Sequence, residues 1–242
     1  MPQEFYLSIV IPAYREETRI HKILEAIVEY QKGKDFLIET LVVIDGSPDN
    51  TVDSVKKFSD KIPNLRVINR LKNKGKGYTV KEGVLHSSGK FILFADADNS
   101  TPVKQADKLL KYVDKYKVVI GSRYCRGGKL AHPQPFYRVL GGRGMNLIIQ
   151  LLAARGIKDT QCGFKLFERE AALKIFKLQT FDRFSFDIEL LAIARKLGYK
   201  TKEVGITWYD DPHSTVNPIK DGLQMVRDSW IIRKNITKGL YR

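Results

Sequence analysis

The run Phe91-Ile92-Leu93-Phe94-Ala95 passes directly into Asp96-Ala97-Asp98-Asn99-Ser100. A short stretch with no polar residue reads as a strand buried on both faces of a parallel sheet. This one ends in two carboxylates separated by one small residue. Two like charges held together at a strand end favour a cation. Carboxylate, amide and hydroxyl oxygens are hard ligands suited to Mg²⁺ or Mn²⁺, which complete their coordination with substrate phosphates and water. Asp96 and Asp98 therefore read as a metal–diphosphate site. The alternative is an Asx-rich turn ahead of Pro102 with both aspartates solvated.

The flanking sequence argues for the site. Residues 6–12 are rich in β-branched side chains and stop at Pro12, as a strand feeding a loop does. Ile20, Ile23, Leu24, Ile27 and Val28 recur at helical spacing within 17–30. A second buried strand is expected at 41–44, leading into Asp45-Gly46-Ser47-Pro48-Asp49-Asn50-Thr51, where Asp49 or Asn50 caps the next helix. A third strand at 65–68 precedes Asn73-Lys74-Gly75-Lys76-Gly77 and a helix to about residue 86. A short helix over about 105–112 then leads to a fifth strand at 118–123. Strand and helix in alternation predict an α/β fold, a Rossmann-like and mostly parallel sheet with helices on both faces. In such sheets ligands bind outside the carboxyl ends of the strands, where each of these motifs falls.

The second half is less regular. Gly127-Gly128 and His132-Pro133-Gln134-Pro135 mark a loop before a largely apolar helix at 136–154, either a core helix or one lying against a bilayer surface. Ser185 is placed to cap an amphipathic helix running to about 197, and a strand follows at 201–206. Residues 209–215 read as an exposed loop. A basic amphipathic helix carrying Arg227, Arg233, Lys234 and Lys238 is expected from about 218.

The net charge of +15 suits polyanionic partners: nucleic acid, an anionic membrane surface or phosphorylated small molecules. Cys125 and Cys162 are too few for a disulfide framework and lack metal-ligand spacing, so a reducing setting is expected. No secretory signal and no membrane-spanning run is visible. No G-x-G-x-x-G follows the first strand, and Gly75-Lys76-Gly77 is too short for a P-loop, which argues against a dinucleotide oxidoreductase and a P-loop enzyme. No nucleic-acid motif appears, and acidic strand ends would repel phosphate without a metal, so no nucleic-acid partner is expected.

The segments S-I-V-I-P-A-Y-R-E-E, D-G-S-P-D-N-T, N-K-G-K-G, D-A-D-N-S, G-S-R-Y, D-T-Q-C-G-F-K-L-F and F-D-I-E-L-L, in that order, resemble a family 2 glycosyltransferase of GT-A fold. The resemblance is closest to the polyprenyl-phosphate glycosyltransferases, and within them to the dolichyl-phosphate glucosyl branch rather than the mannosyl one. It covers nearly the whole chain and implies one domain over 1–242. The implied reaction is metal-dependent inverting transfer of a hexose from a nucleotide diphosphate sugar to dolichyl or polyprenyl phosphate. UDP-glucose is the favoured donor and GDP-mannose the alternative. The implied location is cytoplasmic, peripheral on the cytosolic face of a membrane. A family 2 enzyme acting on a soluble or growing glycan is a further alternative.

By this resemblance Pro12, Tyr14, Glu16 and Asp45 line the donor pocket, with Asp45 on the base, and Lys76 and Ala97 also face the donor. Asp96 and Asp98 hold Mg²⁺ or Mn²⁺ on the diphosphate. Arg123 faces the phosphates together with Arg138 and Arg143, which hold the acceptor phosphate. Three departures stand out: Ile44 where relatives carry a first aspartate, Ser100 where mannosyl relatives carry Gln, and His213-Ser214-Thr215 where relatives carry Gly-Ser-Lys.

A phosphate monoester is largely dianionic at neutral pH and needs no strong base, only cations to hold it in line. Asp187 and Glu189 are candidates for a base or for orienting basic residues, or else first-turn carboxylates that stabilise a helix dipole. Lys165 either contacts a phosphate or is a solvated lysine on a hairpin. Cys162 reads as a packed small hydrophobe, and His21 and His86 as structural.

Overall fold

The computed structural model describes residues 4–131, 136–210 and 218–241; the side chains of residues 136–143 and 218–221 lie outside that description. Its centre is a seven-stranded sheet. In chain order the strands are β1 (Leu7–Ala13), β2 (Ile38–Asp45), β3 (Leu65–Arg70), β4 (Phe91–Ala95), β5 (Val118–Ser122), β7 (Phe164–Glu168) and β8 (Thr201–Gly205). They lie in the order β3-β2-β1-β4-β7-β5-β8, and β7 alone runs antiparallel to its neighbours. Short strands β6 (Lys129–Leu130) and β9 (Thr207–Trp208) pair separately.

The apolar runs are strands because alternate residues serve two cores. Leu7, Ile9 and Ile11 face α1 (Ile20–Lys32), α2 (Thr51–Lys56) and α4 (Ala106–Leu110), whereas Val10, Ile92 and Phe94 face the opposite layer. That layer holds α3 (Lys76–His86), α6 (Arg169–Leu178), α7 (Phe186–Lys196), α5 (Phe136–Leu152) and α8 (Pro218–Thr237). Phe91 to Ala95 are all buried, and each large side chain among them contributes roughly 1.5–3 kcal/mol by leaving water. The expected Rossmann-like sheet is thus present.

Three features depart from the sequence reading. The strand β7 and helix α6 were not anticipated as elements. Ser185 stands at the N-terminus of α7, but its hydroxyl donates to Asp228 Oδ2 at 2.5 Å instead of capping the helix, and so ties α7 to α8. The cap expected of Asp49 is a wider knot: its Oδ1 accepts from Ser47 Oγ at 2.5 Å and Thr51 Oγ1 at 2.6 Å, and its Oδ2 accepts from Glu17 N at 3.2 Å.

The switch point falls between β1 and β4, which lie side by side and from which the sheet is wound outwards in both directions. The loop after β1, with Tyr14 and Glu16, and the loop after β4, with Asp96 and Asp98, therefore open on the same crevice.

Candidate active site

At the end of β4, Asp98 Oδ1 accepts from Ser100 N at 2.8 Å, while Asn99 adopts the left-handed conformation at φ +56° that turns the chain back. Burial pushes the Asp98 carboxyl up, and the neighbouring Asp96 charge adds to the shift. Lys76 Nζ lies 2.6 Å from Asp96 Oδ1. That oxygen is buried, and no donor among the described residues is aligned on it as a hydrogen bond. Behind Asp96 stands Gly163, where a built Cβ would overlap the carboxylate, and the Asp96 N–H donates to Gly163 O at 3.2 Å.

Lys76 is placed by a carboxylate from another strand. Asp45 is buried at the end of β2, where Oδ1 accepts from Lys74 N and Oδ2 from Gly75 N, each at 2.8 Å, and Arg70 pairs with it as well. Asp45, expected on the base, here shapes the loop that starts α3. Gly75, at φ +103°, passes against the Asp182 carbonyl with no room for a side chain. The Tyr78 N–H donates to that same carbonyl at 3.1 Å, so the 181–183 turn docks on the first turn of α3.

Lys165 is fully buried on β7 and donates to Asp187 Oδ1 at 2.5 Å and to Cys162 O at 2.6 Å. The reading of a solvated lysine fails, since the ammonium is buried against a carboxylate from α7; the acceptor-phosphate role expected of it would have to be exercised from that pair. Of the readings weighed for Asp187, orientation of a basic residue is the one this contact matches. Glu189, also fully buried, accepts from Thr180 N, Thr180 Oγ1, Phe181 N and the Tyr241 hydroxyl, the last at 2.8 Å. It ties the chain's end to the turn before α7, so it is a structural tether and not a base.

Arg123, expected to face the phosphates, is paired with Asp159. Its Nε and Nη2 donate to Asp159 Oδ2 and Oδ1, and its backbone N to Oδ2, all at 2.8 Å. Burial opposes the Arg123 charge, but Asp159 outweighs it and keeps the guanidinium firmly protonated. The fork faces Asp159 because two planar groups close two parallel bonds there. The Trp208 ring lies 5.2 Å from the guanidinium carbon.

Glu16, after β1, accepts from Arg19 Nη2 at 2.8 Å and Nε at 3.0 Å. Burial pushes its carboxyl up to about 7 against the pull of Arg19, helped by the charges of Asp98 and Asp96. Pro12 is half-buried at the end of β1 and Ala97 is buried between the two aspartates. Tyr14 is 41% exposed, with the Arg15 guanidinium 5.4 Å from its ring centre, so it offers an aromatic face at the crevice. Arg138 and Arg143 fall on α5, outside the residues whose side chains are described, and His213 also lies outside the described residues. Cys162 is buried, which pushes its thiol up to about 12 and leaves it inert.

The residues present suit a hard divalent cation. Two carboxylates adjoin, one with a buried oxygen whose partner is the Lys76 ammonium, and among the described residues no group of three or more His, Cys, Asp or Glu is placed to hold a metal without substrate oxygens. Magnesium-type sites of this kind are finished by substrate phosphate. Sequence reasoning missed Gly163 and Asp159 as parts of the site. Both lie in D-T-Q-C-G-F-K-L-F, one of the segments that carry the family resemblance, which assigned no roles to these two residues.

A mostly parallel sheet with an acidic pair at the carboxyl end of a central strand, beside a crevice at the switch point, defines a GT-A transferase. The chain is a glycosyltransferase: residues 8–176 match Glycosyl transferase family 2, and it belongs to that family. It is 34% identical over 250 residues to dolichyl-phosphate beta-glucosyltransferase of Dictyostelium discoideum, covering 98% of this chain and 76% of that one. It is 40% identical over 219 residues to a dolichyl-phosphate beta-glucosyltransferase of Trichomonas vaginalis, covering 86% and 65% of the two chains. Its fold also resembles that of Mycobacterium tuberculosis glucosyl-3-phosphoglycerate synthase, solved with Mn²⁺, UDP and glucosyl-3-phosphoglycerate. There the TM-score is 0.62 at 18% identity, over 97% of this chain and 80% of that one.

Proposed function

We propose that this enzyme transfers glucose from UDP-glucose to dolichyl phosphate, with inversion, using Mg²⁺ or Mn²⁺ held by Asp96 and Asp98. The observation that carries the reading is the state of the carboxylates. Asp187 is sealed against Lys165 and Glu189 is saturated with donors, so neither α7 carboxylate is placed as a free base. A sugar hydroxyl acceptor needs a base; a phosphate dianion does not. The relatives named for dolichyl-phosphate glucosyl transfer support the same acceptor and sugar.

In the proposed step an acceptor phosphate oxygen attacks the anomeric carbon from the face opposite the diphosphate. The bond between that carbon and the β-phosphate oxygen breaks, and UDP leaves. No proton is transferred. The metal, when bound, neutralises charge that builds on the departing diphosphate. Lys76, fixed by the Asp45-bound loop, faces the same charge. Tyr14 offers its ring to the base, and Glu16 lines the pocket beside it. Arg138 and Arg143 are the proposed clamp for the acceptor phosphate. Binding of UDP-glucose by calorimetry tests the donor half. Binding that requires Mn²⁺ or Mg²⁺ and is lost in Asp98→Ala supports it, and metal-independent binding contradicts it.

We further propose peripheral attachment to an anionic membrane surface through α5 and α8, which pack together. On α5, Ile149 is buried while Leu147, Ile148 and Leu151 are exposed, the last at 68%. On α8, Leu223 and Trp230 are exposed, as are Arg227, Arg233 and Lys234, and Lys238 just after the helix is exposed too. An apolar face edged with basic residues suits a headgroup region. Among the described residues no helix is long and apolar enough to cross a membrane.

A further inference from the structure

The crevice holds more than the acidic pair. Lys76 there feels Asp96, Asp98 and Asp187, the last paired with the buried Lys165 ammonium, in a set of five charges with one net negative charge. Lys165 is committed: it is fully buried and shared between Asp187 and the Cys162 carbonyl. Lys76 is held differently. It forms a 2.6 Å ion pair with Asp96 Oδ1, one of the oxygens proposed to take the metal. Its side chain keeps 28% exposure, and Asp187 and Asp98 both attract it electrostatically.

We propose that Lys76 is a resident counter-ion that occupies Asp96 before the metal arrives and is displaced by it. The inference rests on the proposed metal site at Asp96 and Asp98. Three features of the chain make displacement favourable. The Asp96 carboxylate is backed by Gly163, and its backbone N–H is bonded to Gly163 O, so the longer and more flexible lysine is the partner that moves. A four-carbon stem lets the ammonium swing while its backbone remains fixed by the Asp45-bound loop. The Asp187 charge also attracts Lys76, although that carboxylate is itself paired with Lys165, so the displaced ammonium stays in a favourable field. A bare acidic pair would repel itself and bind stray cations. With Lys76 in place the site is nearly neutral until a divalent ion, which carries more charge, replaces it.

The test is titration of the full chain with Mn²⁺ alone, reading free Mn²⁺ by electron paramagnetic resonance. Wild type, Lys76→Met, Lys76→Arg and Asp98→Asn are compared. The proposal expects Lys76→Met to bind Mn²⁺ roughly tenfold more tightly than wild type, Lys76→Arg to return towards the wild-type value, and Asp98→Asn to lose binding. Equal or weaker binding by Lys76→Met, with wild type binding normally and Asp98→Asn not, overturns the counter-ion role and leaves the metal site standing. Binding unaffected by Asp98→Asn overturns the metal reading, and this proposal with it. Should Lys76→Met not fold, the rate of amine acetylation at Lys76 in the wild-type protein answers the same question. A several-fold rise on adding Mn²⁺ supports displacement, and an unchanged rate with Mn²⁺ bound contradicts it.

Discussion

The Asp96 carboxylate lies over Gly163 so closely that no side chain fits between them. The glycine belongs to the segment leading into β7, so an antiparallel strand inserted next to β4 sets the back wall of the acidic pair. Replacement Gly163→Ala must push the carboxylate away from its place. We expect kcat/KM to fall about 100-fold, the scale for a displacement near 1 Å in a catalytic array, with Mn²⁺ binding weakened in parallel. Steady-state kinetics and a Mn²⁺ titration check this, and unchanged values in a folded variant would remove Gly163 from the site.

The Arg123–Asp159 fork is expected to act on stability first. Removing one partner leaves the other charge buried and unpaired, so Asp159→Asn should cost roughly 3–5 kcal/mol by urea unfolding. Burial raises the Asp159 carboxyl, but the Arg123 guanidinium overcomes this and holds it below the usual carboxylate range. A depressed native pKa contributes stability above the unfolded value of about 3.9, and that contribution is lost as pH falls through the native one. Wild type should therefore lose part of its advantage over Asp159→Asn below about pH 4.

Glu16 has the opposite sign. Its carboxyl titrates at about 7 in the folded protein, mainly through burial, against an ordinary value near 4.3 in the unfolded chain. Its stabilising contribution is complete below the unfolded value and is lost as pH rises through about 7. Thermal unfolding across that interval should show wild type losing stability as pH rises, with Glu16→Gln showing a flatter curve. A parallel pair of curves would contradict the shift.

For the membrane, co-sedimentation with vesicles containing phosphatidylserine should fall in the double variant Leu151→Glu, Trp230→Glu and in high salt. Both side chains are solvent-exposed, so the fold should be unaffected. Undiminished sedimentation of the folded variant would remove the α5–α8 face from the account.

Much of this was legible in the sequence because the sheet is made of short apolar runs that end in polar loops. Runs such as Leu41–Ile44 and Phe91–Ala95 have no other stable place than between two helical layers. The acidic pair was legible for the same reason, as charge abruptly following such a run. The partners were not. Asp187 lies 22 positions beyond Lys165, and nothing local to Phe164–Glu168 says that its lysine is buried. Ser185 and Asp45 have the right chemistry for a cap and a base contact. Their long-range partners, Asp228 for one and the Lys74–Gly75 backbone for the other, are distant in sequence and could not be read from it.

The most direct measurement is transfer of radiolabel from UDP-glucose or GDP-mannose into the organic phase, with dolichyl phosphate as acceptor and with Mg²⁺, Mn²⁺ or a chelator present. The account predicts extractable label from UDP-glucose only, dependent on metal and abolished in Asp98→Ala. Label from GDP-mannose instead, or lipid product formed equally well in chelator, would contradict it.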